Sequence, residues 1–244
     1  SQAFEVEVAD PSSEQSSYPQ IDNWQDSSLD HEVIVIATPI KTTAEILTGL
    51  SKRRPVGLIF DIGSLKTPLK SSLSNLANSG CLVTSIHPMF GPETRLLSGR
   101  HIIFIDVGVP TATAGARAIF ASTMVDQVTM TLEEHDKLIA YVLGLSHALN
   151  LIFFTALSES GELVPHLKQL SSTTFNAQME VASLVAKDNP HLYFEIQALN
   201  EYGLTSLDAL TKASKRIKGL IENKDEAGFV GLMESGRRYL DSRN

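Results

Sequence analysis

Two patterns of apolar residues divide the chain. Up to about residue 130, apolar runs of strand length alternate with amphipathic stretches of helix length; beyond it only helical periodicity remains. Residues 4–8 (FEVEV) alternate and stop at Asp10-Pro11-Ser12-Ser13, a strand ending in a turn, and a polar stretch follows over 14–30. Residues 33–37 form a buried-type strand closed by Thr38-Pro39, and 41–53 an amphipathic helix with Ala44, Ile46, Leu47 and Leu50 inward. Further strands are predicted over 56–62, 81–86, 101–107 and 125–130, with helices to about 78 and over 111–122 and a polar connection over 93–99. Continuous apolar strands alternating with helices predict a doubly wound parallel sheet.

From Thr131 the pattern predicts helices alone. Residues 131–158 read as one long helix opened by a capping box, Thr131 and Glu134, with Leu138, Val142, Leu145, Leu149, Ile152 and Ala156 at heptad-like spacing. Helices over 161–170 and 171–187 follow. Asn189-Pro190 starts another, expected over 191–222 with a kink at Gly203, and Asp225 starts the last, to 239. Residues 1–130 are therefore assigned to an α/β domain and 131–244 to an all-helical one. The stretch 138–157 is about long enough to span a bilayer, but Ser146, His147 and Asn150 sit at its middle, where polar groups are costly. It is assigned instead to the core or to a subunit interface.

Composition narrows the classes. An apolar fraction of 43%, a charged fraction of 20% and a net charge of -8 describe an ordinary globular protein without a nucleic-acid-binding surface. One cysteine, Cys81, lies in an apolar strand, so no disulfide framework exists and a reducing cytoplasm fits. No His, Cys, Asp and Glu set has metal-ligand spacing, and no metal is expected.

The chemistry gathers at two strand ends. Ser85-Ile86-His87-Pro88-Met89-Phe90-Gly91-Pro92 breaks its strand with prolines, which puts His87 at the carboxyl edge, where open parallel sheets bind ligands. A histidine there suits proton transfer near neutral pH, although one satisfied by backbone would look the same. One strand earlier, Gly63-Ser64-Leu65-Lys66-Thr67-Pro68 makes a strand-to-helix turn. Alone, Ser64 reads as an N-cap and Lys66 as a solvated lysine. Two adjacent strands nevertheless deliver Ser64, Lys66 and His87 to one edge, and these three are the catalytic candidates.

The pair D-I-G-S-L-K (61–66) and S-I-H-P-M-F-G-P (85–92), in this order and spacing, resembles the prephenate/arogenate dehydrogenase family of tyrosine biosynthesis. The likeness continues through Glu134-His135-Asp136 and Leu145-Ser146-His147-Ala148 into the helical tail. It implies oxidative decarboxylation of a cyclohexadienol with hydride transfer to NAD, or NADP. It also implies an incomplete Rossmann-type sheet followed by a helical domain for substrate binding and homodimerisation. His87 would meet the ring hydroxyl and accept its proton. Ser64 would orient that hydroxyl or the imidazole, and Thr38, Pro39 and Gly63 would line the nicotinamide and ribose side. Ser146, His147 and Asn150 would contact substrate, with a core histidine as the alternative for His147 and a structural place in the helix's first turn for His135. Asp10 suits the acid that bonds the adenosine ribose, or is an ordinary turn aspartate.

Two departures matter. No G-x-G-x-x-G occurs in the chain, so the family's first strand, phosphate turn and first helix are expected before Ser1. The resemblance also implies a helical-domain arginine on a substrate carboxylate, yet no Arg lies between Arg117 and Arg216. In or near the matching stretch are only His166, Lys168, Lys187 and His191, which leaves Arg237 of the partner subunit as a candidate. Two alternatives therefore stand beside the dehydrogenase: an oxidoreductase acting on another carboxylate substrate, and a non-catalytic dimerising module.

Overall fold

The computed structural model describes residues 4–12 and 16–242. Ser13 and Glu14, placed by the sequence in the first turn and the polar stretch, lie outside them. Two compact units result, Ser1–Gly63 with Lys70–Met130, and Ser64–Leu69 with Thr131–Asn244.

In the first unit, Val8–Ala9 (β1) pairs in parallel with Gln20–Ile21 (β2), apart from the main sheet. The strand expected over 4–8 is thus reduced to its end. The polar stretch is pinned rather than loose. The Trp24 ring packs over Gly49, where a Cβ would come within 2.7 Å of it. Arg53 donates to the carbonyls of Gln25 (2.8 Å) and Ser27 (2.9 Å). The main sheet runs Val33–Ile36 (β3), Leu58–Asp61 (β4), Val83–Pro88 (β5), His101–Asp106 (β6) and Asp126–Thr131 (β7), in that spatial order.

Strands β3, β4 and β5 are parallel, joined through the helices Ile40–Arg53 (α1) and Lys70–Asn78 (α2). Strand β6 runs antiparallel to β5, which departs from the all-parallel expectation. The reason is the connection: residues 89–100 contain no helix, and a parallel return needs a crossover element. On one face, Phe60, Ile86, Ile102 and Phe104 pack on Ala116 of Pro110–Ile119 (α3). Thr84 and Thr113 hydroxyls meet on that side (3.0 Å). The pleat sends Ile59, Asp61, Val83, Ser85 and His87 to the other face.

The second unit is helical: Leu132–Ile139 (α4), a π-helical segment Ala140–Leu145, Ser146–Glu159 (α5), Val164–Gln169 (α6), Thr173–Lys187 (α7), Pro190–Leu199 (α8), Gly203–Glu222 (α9) and Glu226–Asp241 (α10). The helix expected over 131–158 is continuous but wound too wide at its centre. The Gly144 carbonyl there accepts from Gln197 Nε2 (2.8 Å), and a Cβ on Gly144 would lie 3.6 Å from Ser206 Oγ of α9. The helix expected over 191–222 is two. Buried Asn200 caps the break, donating through Nδ2 to the Asp136 carbonyl (2.9 Å) and accepting the Tyr202 amide (2.9 Å). Side-chain bonds of this kind compete with helix continuation. Gly203 permits close approach: a Cβ would sit 2.9 Å from the Gln197 carbonyl.

Gly57 just before β4 offers a test of the sheet. A Cβ there would lie 2.0 Å from the His31 carbonyl oxygen, on backbone that the Leu58 amide bond to Glu32 (2.9 Å) holds in place. Gly57→Ala is expected to lower stability by about 1–3 kcal/mol, read as a lower urea midpoint at unchanged slope. An unchanged midpoint would contradict this close approach.

Candidate active site

The sheet unit carries the first group of candidate residues. Ile36, Asp61 and Ser85 are register partners across β3, β4 and β5, and His87 lies two residues further along β5 on the same face. All four are buried, His87 at 4% exposure and Asp61 at 0%. A buried carboxylate needs donors. Asp61 takes one from the Gly63 amide (3.0 Å) and another from the Ser85 hydroxyl. The Asp61 bond fixes the turn that leaves β4, and Pro88 ends β5 just past His87. Thr38 stands at the end of β3, its hydroxyl 2.9 Å from that of Thr43, with exposed Pro39 at the N-cap of α1.

Ser64 and Lys66 belong to the helical unit. Lys66 is 0% exposed, so its reading as a solvated lysine is overturned. Its backbone is held from 70 residues away: Asp136 accepts the Lys66 amide at 3.0 and 3.2 Å and the Thr67 amide at 2.6 Å. His135 Nδ1 lies 2.6 Å from Asp136 Oδ1, with both side chains fully buried. Burial alone would push the Asp136 carboxyl up, but the bonds from His135 and from the Thr67 backbone outweigh it and hold it below the ordinary 3.8. An ionised carboxylate only accepts, so His135 carries its proton on Nδ1. The cap expected of Ser64 is thus provided by Asp136, and Ser64 is half-buried in the loop before the 3₁₀ turn Thr67–Leu69.

Just past the π segment, Ser146 is exposed, and its carbonyl accepts from Asn150 Nδ2 (2.9 Å). Asn150 is buried and accepts from Gln178 Nε2 (2.8 Å), so its amide joins α5 to α7. The His147 ring stacks on Tyr193 of α8 at 4.1 Å and 21°, and its buried Nδ1 has no hydrogen-bond partner. Burial lowers the His147 pKa from 6.5, with Asp188 opposing, so the ring is neutral at pH 7. Nearby, an apolar cavity of about 290 Å³ is lined by Leu151, Phe154, Val185, Tyr193 and Phe194, with Asp188 at its polar side.

Asp10 follows β1, exposed, its carboxylate accepting the Ser12 amide (2.8 Å) in a local turn. Arg237 is exposed on α10. Among the described residues no group of three or more His, Cys, Asp or Glu is arranged to hold a metal. Sequence reasoning gave no role to Asp61, Ser85 and Asp136, although they lie in the quoted motifs, and did not name Tyr193 or Gln178. An acid ending an apolar strand was a usable signal for Asp61; the partners of the others are remote in sequence.

Comparison with known proteins bears on this arrangement. Residues 15–107 match the family described as prephenate dehydrogenase, nucleotide-binding domain, and 131–235 that described as prephenate dehydrogenase, dimerization domain. Over 215 residues the chain is 23% identical to the "Probable arogenate/prephenate dehydrogenase" of Methanocaldococcus jannaschii. It is 28% identical to the 4-amino-4-deoxyprephenate dehydrogenase of Streptomyces pristinaespiralis over 215 residues, and 24% to the T-protein of Enterobacter agglomerans over 211. The matches cover 86%, 86% and 82% of this chain. They span about half the length of two relatives, 48% and 53%, and 70% of the other. In fold it is similar to Synechocystis arogenate dehydrogenase (TM-score 0.68, 18% identity, 88% of this chain and 80% of that one). A similar likeness is to prephenate dehydrogenase from A. aeolicus in complex with hydroxyphenyl propionate and NAD+ (0.68, 17%, 93% and 82%). A nucleotide-binding α/β domain followed by a helical dimerization domain, with both family matches in that order, places this chain in the prephenate/arogenate dehydrogenase family.

Proposed function

We propose that this protein oxidatively decarboxylates prephenate or arogenate, passing hydride to NAD, with NADP as the alternative acceptor. The observation that carries the reading is His87, buried at the carboxyl end of β5 on the face shared with Asp61 and Ser85. A ring hydroxyl brought to His87 gives up its proton there as the carbon bearing it is oxidised. Loss of the ring carboxyl as carbon dioxide then leaves a phenolate, to which His87 returns the proton, so no net proton is consumed. A bound nicotinamide supplies the hydride acceptor. Ser64 orients the hydroxyl or the imidazole, and Lys66, desolvated as the structure has it, favours negative charge developing on oxygen.

The residues present fit the nicotinamide end of a dinucleotide through their donor set. The Thr38 hydroxyl and the Gly63 backbone stand at the ends of adjacent parallel strands, beside the N-terminus of α1. Asp10 is the candidate for the adenosine ribose. In the helical unit the neutral His147 ring, whose buried Nδ1 has no hydrogen-bond partner, and the adjacent Ser146 are the candidates for substrate contact. Asn150, bonded at both ends of its amide, supports that face.

A homodimer through the helical unit completes the reading. Within 132–159 an 18-residue window reaches a mean hydropathy of 1.8, yet only 28% of that window is buried. Val142, Leu149, Ile152, Leu184 and Phe194 are each at least 46% exposed, more apolar surface than a monomer keeps in contact with water. Light scattering on the full protein should give twice the chain mass; a monomer at micromolar concentration would refute the interface. The buried Cys81, without a disulfide, fits a cytoplasmic protein.

Turnover is tested by nicotinamide reduction with prephenate, arogenate and 4-amino-4-deoxyprephenate, each with NAD and NADP. His87→Asn is expected to keep the fold and lose about 10²–10⁴-fold in kcat, the usual worth of a general base. Turnover within tenfold of the parent in that variant would remove His87 from the proton transfer. The pH dependence of stability tests His147. Its folded-state pKa lies below 6.5, so the unfolded chain binds the proton first as pH falls. Stability is therefore full above about 6.5 and declines as pH falls through the folded value. His147→Gln should flatten the fall in Tm between pH 7.5 and 5; an equally steep fall in the variant would show that the ring is not held neutral.

A further inference from the structure

The loop that leaves the sheet after Gly63 does not stay with the sheet. Residues Ser64–Leu69 group with the helices of the second unit although the strand before them and the helix after them belong to the first. The bonds that carry this grouping are few and buried. Asp136, one turn into α4, takes the Lys66 amide on both carboxylate oxygens and the Thr67 amide on one. His135 Nδ1 braces Oδ1 at 2.6 Å, so the carboxylate cannot turn without losing the imidazole as well as the loop amides, and Asn200 Nδ2 holds the Asp136 backbone through its carbonyl at 2.9 Å. Asp136, His135 and Lys66 are all 0% exposed. The Lys66 amide is buried with them, and the Thr67 amide is partly buried. The 3₁₀ turn that follows, Thr67–Leu69, closes on the Lys66 carbonyl through the Leu69 amide (2.9 Å), so the fixed amides fix the turn as well.

We propose that Asp136, braced by His135, is a positioning residue: it holds the loop carrying Ser64 and Lys66 as part of the helical unit, so that α4 sets where those two side chains stand. This rests on the roles proposed above for Ser64 and Lys66. In the loop Asp136 bonds backbone amides, and it takes no proton in the reaction. Its loss should therefore lower kcat while leaving the KM for nucleotide, which the strand ends bind, unchanged.

Two measurements on the full protein test this. In the parent protein, hydrogen exchange in graded urea should show the Lys66 and Thr67 amides opening together with α4 amides. Opening together with β4 and β5 would overturn the tether, and this arm needs no variant. In Asp136→Asn, those two amides should lose at least tenfold in protection, and kcat should fall 10- to 100-fold with the nucleotide KM within twofold. Freed amides with an unchanged kcat, or a nucleotide KM that rises in step with the fall in kcat, would overturn the positioning role. Should the parent turn over none of the three substrates, the functional reading falls, while the exchange experiment still decides the tether.

Discussion

A carboxylate removed from water must find its donors inside the protein, and this requirement shapes the site more than any local propensity. An unpaired buried charge costs several kcal/mol, and removing one partner of a buried pair typically costs about 3–5 kcal/mol. Asp136 meets the requirement with an imidazole beside it and two amides 70 residues upstream. The loop over 64–67 and the start of α4 around Asp136 are therefore conditions for each other. Asp61 poses the same problem at the sheet end, and Ser85 with the Gly63 amide solves it. One short stretch of chain is thus gripped at its start by a strand carboxylate and three residues later by a helix carboxylate. A segment with little apolar surface of its own gets a defined conformation that way.

What the sequence made legible follows from how far each cause acts. The alternation of strands and helices was readable because each run carries its own periodicity, and His87 was readable because Pro88 stops the strand beside it. The direction of β6 was not in its residues, since HIIFID reads alike either way. It was in the connection, which lacks a helical repeat. The break between α8 and α9 had a local signal in Asn200, outweighed by the apolar spacing around it. Taken alone, Lys66 reads as solvated, because a lysine's surroundings are set by whatever closes over it. Here the closing residues lie a domain away in sequence.

In the helical unit, apolar spacing and burial part company. Leu149 and Ile152 keep the interval of a core stripe and remain 46% and 50% exposed. Periodicity states that a face wants cover without stating whose. The stripe lies within the stretch that matches a dimerization domain.

The polar groups of that unit cluster where the helix leaves α geometry. Widening over 140–145 displaces carbonyls from their usual partners, and Gln197 reaches across to take one. Immediately after this segment come Ser146, His147 and Asn150. An α-helix of ordinary winding would carry those three around its axis by a different phase, because one extra residue per turn shifts every later side chain by about 100°. The widened turn thus decides which way His147 faces, and Tyr193 locks the ring there by stacking. The same logic operates at the sheet, where Pro88 and the Gly63 turn interrupt regular strands at the points that present His87 and Ser64. Periodic residues build both units. The residues assigned to chemistry sit at the interruptions, because only there does a side chain or a backbone group remain undedicated to the repeat.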